Sequence, residues 1–472
     1  MQIAYKQIFI NIFFLTNNFS NDILMRIEPA DKWIIDPMRR FINNSTMSGI
    51  VLFSSALIAM ILANSPWAEA YHHFWETKFS IGFGDFLINK SLHYWINDGL
   101  MAVFFFVVGL ELKREIIAGE LSNPRNAVLP LAAAAGGMVF PALIYLVFNG
   151  SGEASNGWGV PMATDIAFVL GVLYLFGDKV PMTLKVFLTA LAIADDIGAV
   201  LIIAFFYTSE INFTSLLVGA GFMAVLLTAN RIGIRSTVFY GIIGIGGLWL
   251  AFLLSGVHAT IAAVLAAFTI PATVKVSATY YSQQLKHFLE KFQAAKPHPA
   301  AMVTKEQFTI LDNVKRVSVQ ALTPLQKLEH GMHPLVGFVI MPIFALSNAG
   351  VTLESDALDQ LTSPVAIGIF LGLVVGKLVG VVVVSYILIR LKWATLPVGM
   401  NNIHLLGAGV LTAIGFTMSL FITGLAFTED KYILQAKLGV MAASLICSVV
   451  GYFLIRYANT QKTIQAPVIE DL

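Results

Sequence analysis

The chain is a succession of apolar runs, most of them about 17–25 residues long, separated by short polar or turn segments, which is the length a helix needs to cross a bilayer. Twelve such runs can be read, over residues 47–64, 94–111, 127–149, 160–177, 183–207, 214–230, 237–254, 257–272, 333–350, 365–389, 403–427 and 434–456. Each is expected to be helical, because a spanning segment in lipid must satisfy its own backbone polar groups. Two connections are long. Residues 65–93 contain "KFSIGFGDFLINKS", where Phe79, Ile81 and Phe83 alternate, Gly84 and Asp85 offer a turn, and Phe86 and Ile88 resume the alternation. A small β-hairpin is therefore expected over about 78–91. Residues 273–332 are polar and mixed in charge, and "YYSQQLKHFLEKF" within them has the apolar spacing of an amphipathic surface helix.

The ends differ from the rest. The apolar stretch Ile8–Leu15 is broken by Asn11, is too short to span, and lacks a small-residue cleavage site. Residues 1–24 are read as a disordered or interfacial extension, or as lying upstream of a start at Met25. The organisation expected is an N-terminal cytoplasmic extension over 1–41, a membrane domain over 42–456 carrying the 273–332 insertion, and a cytoplasmic tail over 457–472.

Composition sharpens this picture. Of 472 residues 57% are hydrophobic and 12% are charged, against about 25% charged in soluble domains. The mean hydropathy is +0.77. One soluble core cannot bury such a chain, so a bilayer must act as solvent for much of it. A net charge of +1 argues against nucleic acid as a partner, and a single cysteine, Cys447, rules out an internal disulfide. With the N-terminus placed in the cytoplasm, 24 of the 29 Lys and Arg residues fall on that side. Only Lys78, Lys90, Lys431 and Lys437 fall on the other, and Lys377 lies within a span. That asymmetry sets both termini in the cytoplasm.

Four ionisable side chains lie deep in apolar runs: Asp165, Asp195, Asp196 and Lys377. Each costs roughly 2.5–3.5 kcal/mol to insert, so they are expected to converge and offset one another. Adjacent helical residues point about 100° apart. Asp195 and Asp196 should thus meet different surroundings, one a wet cavity and the other a neighbouring helix, with Lys377 in "GLVVGKLVGVVVV" as partner to one of them. Buried, mutually interacting groups of this kind load and release protons near neutral pH. Carboxylate oxygens also suit a hard cation. One site that accepts either protons or a cation is an exchanger.

Two apolar runs are interrupted. Asp165 sits in "GVPMATDIAFVLG", where Pro161, Ala163 and Thr164 weaken a regular helix. The run "LLGAGVLTAIGFTMSLFITG" carries Gly407, Gly409 and Gly415 together with Thr412, Thr417 and Ser419. These are the fourth and eleventh runs, each the middle of a set of three. Matching interruptions in two inverted repeats mark the binding site of a secondary transporter. "GLELKRE" (109–115) and "KLEHGMHP" (327–334) are expected at cytoplasmic span ends, where their Glu, Arg and His residues, His330 and His333 among them, can form a charged cluster. His258 is read as a packing histidine and Asp98 as a carboxylate near a helix N-terminus. "GFGD" matches the Gly-x-Gly-Asp of intramembrane aspartyl proteases, but its Asp85 lies in a polar loop. Neighbouring aspartates also do not supply two separate helices for acid–base work, so no enzyme is expected. A sodium-coupled symporter would need a larger polar pocket than these runs offer.

The stretches "GLELKRE", "ATDIAF", "ALAIADDIGA", "SGVHAT", "LEHGMHP", "VVGKLVG" and "AIGFTMSLFI" resemble the NhaA-type Na⁺/H⁺ antiporters of bacterial inner membranes, over about residues 42–456. That family is one of the examples behind the interrupted-span rule, so the repeat assignment is not independent of it. The resemblance implies an all-α membrane protein of 12 transmembrane helices with two discontinuous helices, spans 4 and 11, crossing near the midplane. It implies Asp196 as the main Na⁺ or Li⁺ ligand, helped by Asp195 and Thr164, with Asp195 paired to Lys377 in proton exchange. Asp165 would compensate the helix ends at the crossing. Glu111, Arg114, Glu115, Glu329, His330 and His333 would form a cytoplasmic pH-sensing cluster, and the outer hairpin would join a homodimer. Exchange would be electrogenic, pH-regulated and of alternating-access type, with no cofactor beyond the transported ions. The N-terminal extension and the long 273–332 loop depart from the family pattern.

Overall fold

The computed structural model describes residue 41 and residues 45–83, 86–208, 211–296, 302–353 and 357–465. Residues 1–24, Met25 and the Gly84–Asp85 turn lie outside these. Among the described residues the chain is built of helices with one small hairpin. After α1 (Ser45–Ala63) and the short α2 (Ala68–Glu76), β1 (Lys78–Phe83) pairs antiparallel with β2 (Phe86–Ser91), in register from Lys78 opposite Ser91 to Phe83 opposite Phe86. The Trp95 indole donates to the Phe79 carbonyl at 2.9 Å, which pins the hairpin to the start of the next helix.

Then follow α3 (Met101–Ala118), α4 (Pro124–Phe148), a 3₁₀ segment (Glu153–Met162), α5 (Ile166–Tyr174), α6 (Met182–Phe206) and α7 (Phe213–Ile232). Next come α8 (Thr237–Leu253) and α9 (Ala259–Thr269), then α10 (Ala278–Ala294) and α11 (Lys305–Ala321). The last group is α12 (Pro324–Asn348), α13 (Pro364–Arg390), α14 (Asn402–Leu411), α15 (Phe416–Ala426) and α16 (Asp430–Gln465). Among the described residues eight helices are long and apolar enough to cross a membrane, and α14 and α15 form one more such unit, bent by 42° at a short break. The protein is therefore a multi-pass membrane protein.

Helices and apolar runs differ at their ends. α3 runs on past residue 111 to Ala118, α12 begins at Pro324 well before residue 333, and α16 continues to Gln465. Backbone hydrogen bonding does not need apolar side chains, and Lys and Arg can extend from a helix end into the polar interface. The run 257–272 behaves in the opposite way and is helical only over Ala259–Thr269. Lys113 of α3 donates to the carbonyls of Phe268 at 2.6 Å and Ile270 at 2.5 Å, closing that end. The insertion forms two helices where one was expected. α11 opens with a capping box between Thr304 and Gln307.

The packing that matters for the site centres on α4, which lies against both α6 and α13. Gly136 of α4 and Gly380 of α13 meet backbone to backbone, and a Cβ on either would run into the other's carbonyl oxygen. Small residues let membrane helices approach this closely. The approach brings Lys377, one turn before Gly380, level with α6.

Candidate functional site

Asp195 and Asp196 follow one another on α6 and are both buried, at 1% and 2% exposure. Their surroundings differ, as the angular step of a helix requires. Asp195 Oδ2 lies 2.5 Å from Lys377 Nζ, and the lysine side chain is wholly buried. Asp196 does not share this bond, and its Oδ2 is buried with no hydrogen-bond partner; Asp195 Oδ1 is in the same condition. Lys377 ends a π-helical stretch of α13, Gly372–Lys377, an irregularity frequent at functional sites. Its methylene stem passes Gly137 of α4, where a Cβ would sit 3.5 Å from Cδ.

Thr164 ties this pair to the interrupted spans. Lys377 Nζ donates to Thr164 Oγ1 at 2.8 Å. The same hydroxyl is 2.6 Å from Asp195 Oδ2 and 2.8 Å from the Thr412 carbonyl. A hydroxyl has one proton, so it donates to only one of these at a time. Thr412 is at the end of α14, and Thr164 lies in the extended stretch 163–165 ahead of α5.

Asp165 holds the two breaks together. Its Oδ1 accepts from Phe168 N at 3.0 Å and so caps α5. Its Oδ2 accepts from Thr417 N at 3.1 Å and Thr417 Oγ1 at 2.5 Å, at the start of α15. Its own N–H donates to the Ile414 carbonyl at 2.7 Å, inside the bend. One carboxylate thus serves two helix N-termini, where the backbone dipoles favour negative charge. Ser419 of α15 adds a further tie by donating to the Val160 carbonyl at 2.8 Å. Asp165→Ala removes a cap from each helix and is expected to cost about 2 kcal/mol in all. Thermal unfolding in detergent reads this as a lower melting temperature. Asp165→Asn, which keeps an acceptor oxygen, should lose less.

The charges of "GLELKRE" and "KLEHGMHP" gather where α3 meets α12. Arg114 bonds Glu115 at 2.8 Å and reaches Glu329 at 3.3 Å, while His333 lies 3.8 Å from Glu111. His330 is exposed beside Glu329. The Arg114 side chain is 41% exposed, so its ion pairs are worth about 0–1 kcal/mol each. At the opposite end of α3 from Arg114, His258 Nε2 faces Asp98 at 3.8 Å and its Nδ1 bonds Thr260 Oγ1 at 2.8 Å, bringing together His258 and Asp98, which the sequence treats separately.

The structure therefore brings Asp195, Lys377 and Thr164 into one bonded group, sets Asp196 next to it, and places Asp165 across the helix breaks. Sequence reading missed Gly137, the Thr412 carbonyl and the Lys113 cap. The Gly136–Gly137 pair in "AAAAGGM" was available as a signal for close approach. A backbone carbonyl has no side-chain signature, so nothing marked Thr412 as a ligand to the hydroxyl.

The chain is similar to known proteins over most of its length. A family model described as Na⁺/H⁺ antiporter 1 matches residues 39–455. The chain is 47% identical over 430 residues to a protein named Na(+)/H(+) antiporter NhaA from Oleidesulfovibrio alaskensis, covering 91% of this chain and 95% of that one. It is 44% identical over 444 residues to NhaA 1 of Saccharophagus degradans, covering 92% and 96%. It is 45% identical over 436 residues to NhaA of Acidithiobacillus ferrooxidans, covering 91% and 99%.

Proposed function

The chain belongs to the Na⁺/H⁺ antiporter 1 family, and on that premise we propose that it extrudes Na⁺, or Li⁺, in exchange for protons entering across a bacterial inner membrane. It is a transporter and not an enzyme, and its ions are cargo rather than cofactors. Twelve crossings put both termini in the cytoplasm, in line with the Lys and Arg asymmetry. The fourth span is the Glu153–Tyr174 unit and the eleventh is the bent α14–α15 pair, and they cross where Asp165 bridges them.

The observation that carries this reading is the unequal treatment of two adjacent buried carboxylates. Asp196 keeps an unpartnered oxygen, while Asp195 is neutralised by Lys377. Asp196 is then the main cation ligand, joined by the free oxygen of Asp195, and Thr164 holds the unwound chain against the pair. Proton binding and cation binding compete for the same oxygens. Na⁺ entry draws Asp195 from Lys377 and displaces protons from Lys377 and Asp196; after Na⁺ leaves on the other side, the same groups reload with protons there. Two titrating groups, the Asp195–Lys377 pair and Asp196, support more than one proton per Na⁺ and hence electrogenic exchange. Glu111, Arg114, Glu115, Glu329, His330 and His333 form the cytoplasmic pH-responsive cluster. The hairpin, with Phe79, Ile81 and Leu87 half-exposed, joins two copies.

Reconstituted vesicles test the reading. An imposed pH gradient should drive ²²Na⁺ uptake, and membrane potentials of opposite sign, clamped with valinomycin and K⁺, should speed and slow it. No gradient-driven uptake would remove the function, and insensitivity to potential would remove the electrogenic stoichiometry.

A further inference from the structure

The insertion between α9 and α12 presents an apolar face that nothing else in the described chain covers. α10 and α11 lean on each other, with Tyr281 Oη and Ser318 Oγ 3.1 Å apart, and their far sides remain open. On α11, Phe308, Leu311, Lys315 and Val319 follow at spacings of three and four residues, which sets them in one stripe, with the exposed Asp312 beside Phe308 and Lys315 on the same face. Phe308 is 63% exposed, and Leu311 and Val319 are nearly half exposed. Met302 ahead of the helix and Leu322 behind it are exposed as well, at 73% and 52%.

Two features of the surroundings say what covers it. The insertion is tethered at both ends to spans at their cytoplasmic ends. Lys275 N donates to Gln320 O at 3.1 Å and Leu325 N to Pro271 O at 3.2 Å, and only Leu322 and Thr323 separate α11 from α12. The segment is also basic. Lys275, Lys286, Lys291, Lys296, Lys305, Lys315 and Arg316 stand against Glu290, Glu306 and Asp312 between residues 273 and 323. Lys315 lies inside the apolar stripe, where its stem can cover lipid while the ammonium reaches a headgroup.

We infer that α11 docks on the anionic inner leaflet, with the Phe308–Leu311–Val319 stripe among the acyl chains and the flanking lysines and arginine at the headgroups. An apolar stripe edged by Lys and Arg is the composition of an interfacial helix, and anionic headgroups attract basic segments held within a Debye length. This goes beyond ion exchange and does not depend on the ion site.

The test uses the full chain in vesicles. Cys447, the lone native cysteine, is buried in α16, so a spin label placed by Phe308→Cys or Val319→Cys reports its own site. Glu306→Cys, also exposed but off the stripe, is the control. Collision with O₂ reads contact with lipid, and collision with a water-soluble nickel chelate reads contact with water. In vesicles containing phosphatidylglycerol, the O₂-to-nickel ratio at 308 and 319 should exceed that at 306 several-fold. It should fall in vesicles of phosphatidylcholine alone. Equal ratios at all three sites would overturn the inference, as would low access to both reagents at 308, which marks cover by a second copy or another protein. No difference between the two lipid compositions would overturn the anionic docking.

Discussion

Lys377→Ala is expected to lower the melting temperature in detergent by several degrees as well as to collapse transport. The substitution strands Asp195 as a buried carboxylate without its cation. Its Oδ2 would keep only the Thr164 hydroxyl, which the Thr412 carbonyl also claims. Removing one partner of a buried ion pair costs about 3–5 kcal/mol, because the other charge is left without compensation. A stranded carboxylate escapes part of that penalty by taking up a proton, so the defect should be smaller in acid than in alkaline buffer. Lys377→Arg keeps the charge but brings a planar fork into a slot shaped by Gly137, and should retain more stability than alanine. An unaltered melting temperature for Lys377→Ala would count against the pair.

Asp196→Asn is expected to do the reverse, abolishing Na⁺ binding while leaving the fold intact. The amide is nearly isosteric, and the Asp196 Oδ2 that it alters makes no hydrogen bond in the wild type. The change deletes a formal charge from the cation's oxygen set, so calorimetric Na⁺ affinity should fall by more than about tenfold, or ~1.4 kcal/mol. The melting temperature should stay close to that of the wild type. Asp195→Asn, one residue away, should cost stability, because Lys377 loses its counter-charge. If the two neighbouring substitutions behaved alike, the division of labour between the aspartates would be wrong.

Much of this was legible from the chain. The apolar runs marked the helices, and the alternation around residues 78–91 marked the hairpin strands. The two Gly, Pro and Thr interruptions marked the places where helical backbone gives way. Charges that cannot be left alone in lipid pointed to Asp165, Asp195, Asp196 and Lys377, since insertion cost is a property of the residue type. The partner of Lys377 was not legible from physics alone. A period of 3.6 residues says that adjacent carboxylates diverge, but which one faces α13 depends on how α4 packs against both α6 and α13, including a glycine contact between residues far apart in sequence. Helix ends were misjudged for a related reason. Apolar length measures the hydrocarbon, whereas α3, α12 and α16 continue into the interface, and α9 stops at Thr269 because Pro271 disfavours a helical residue before it, with Lys113 of α3 taking the Phe268 and Ile270 carbonyls.

The most direct test of the central claim is Na⁺-induced dissipation of ΔpH in everted membrane vesicles, with wild type and Asp196→Asn measured side by side across neutral to alkaline pH. The wild type should dissipate the gradient on addition of Na⁺ or Li⁺, and Asp196→Asn should not respond at equal membrane abundance. Exchange that persists unchanged in Asp196→Asn would contradict the site, and a wild type silent to Na⁺ throughout that range would contradict the function.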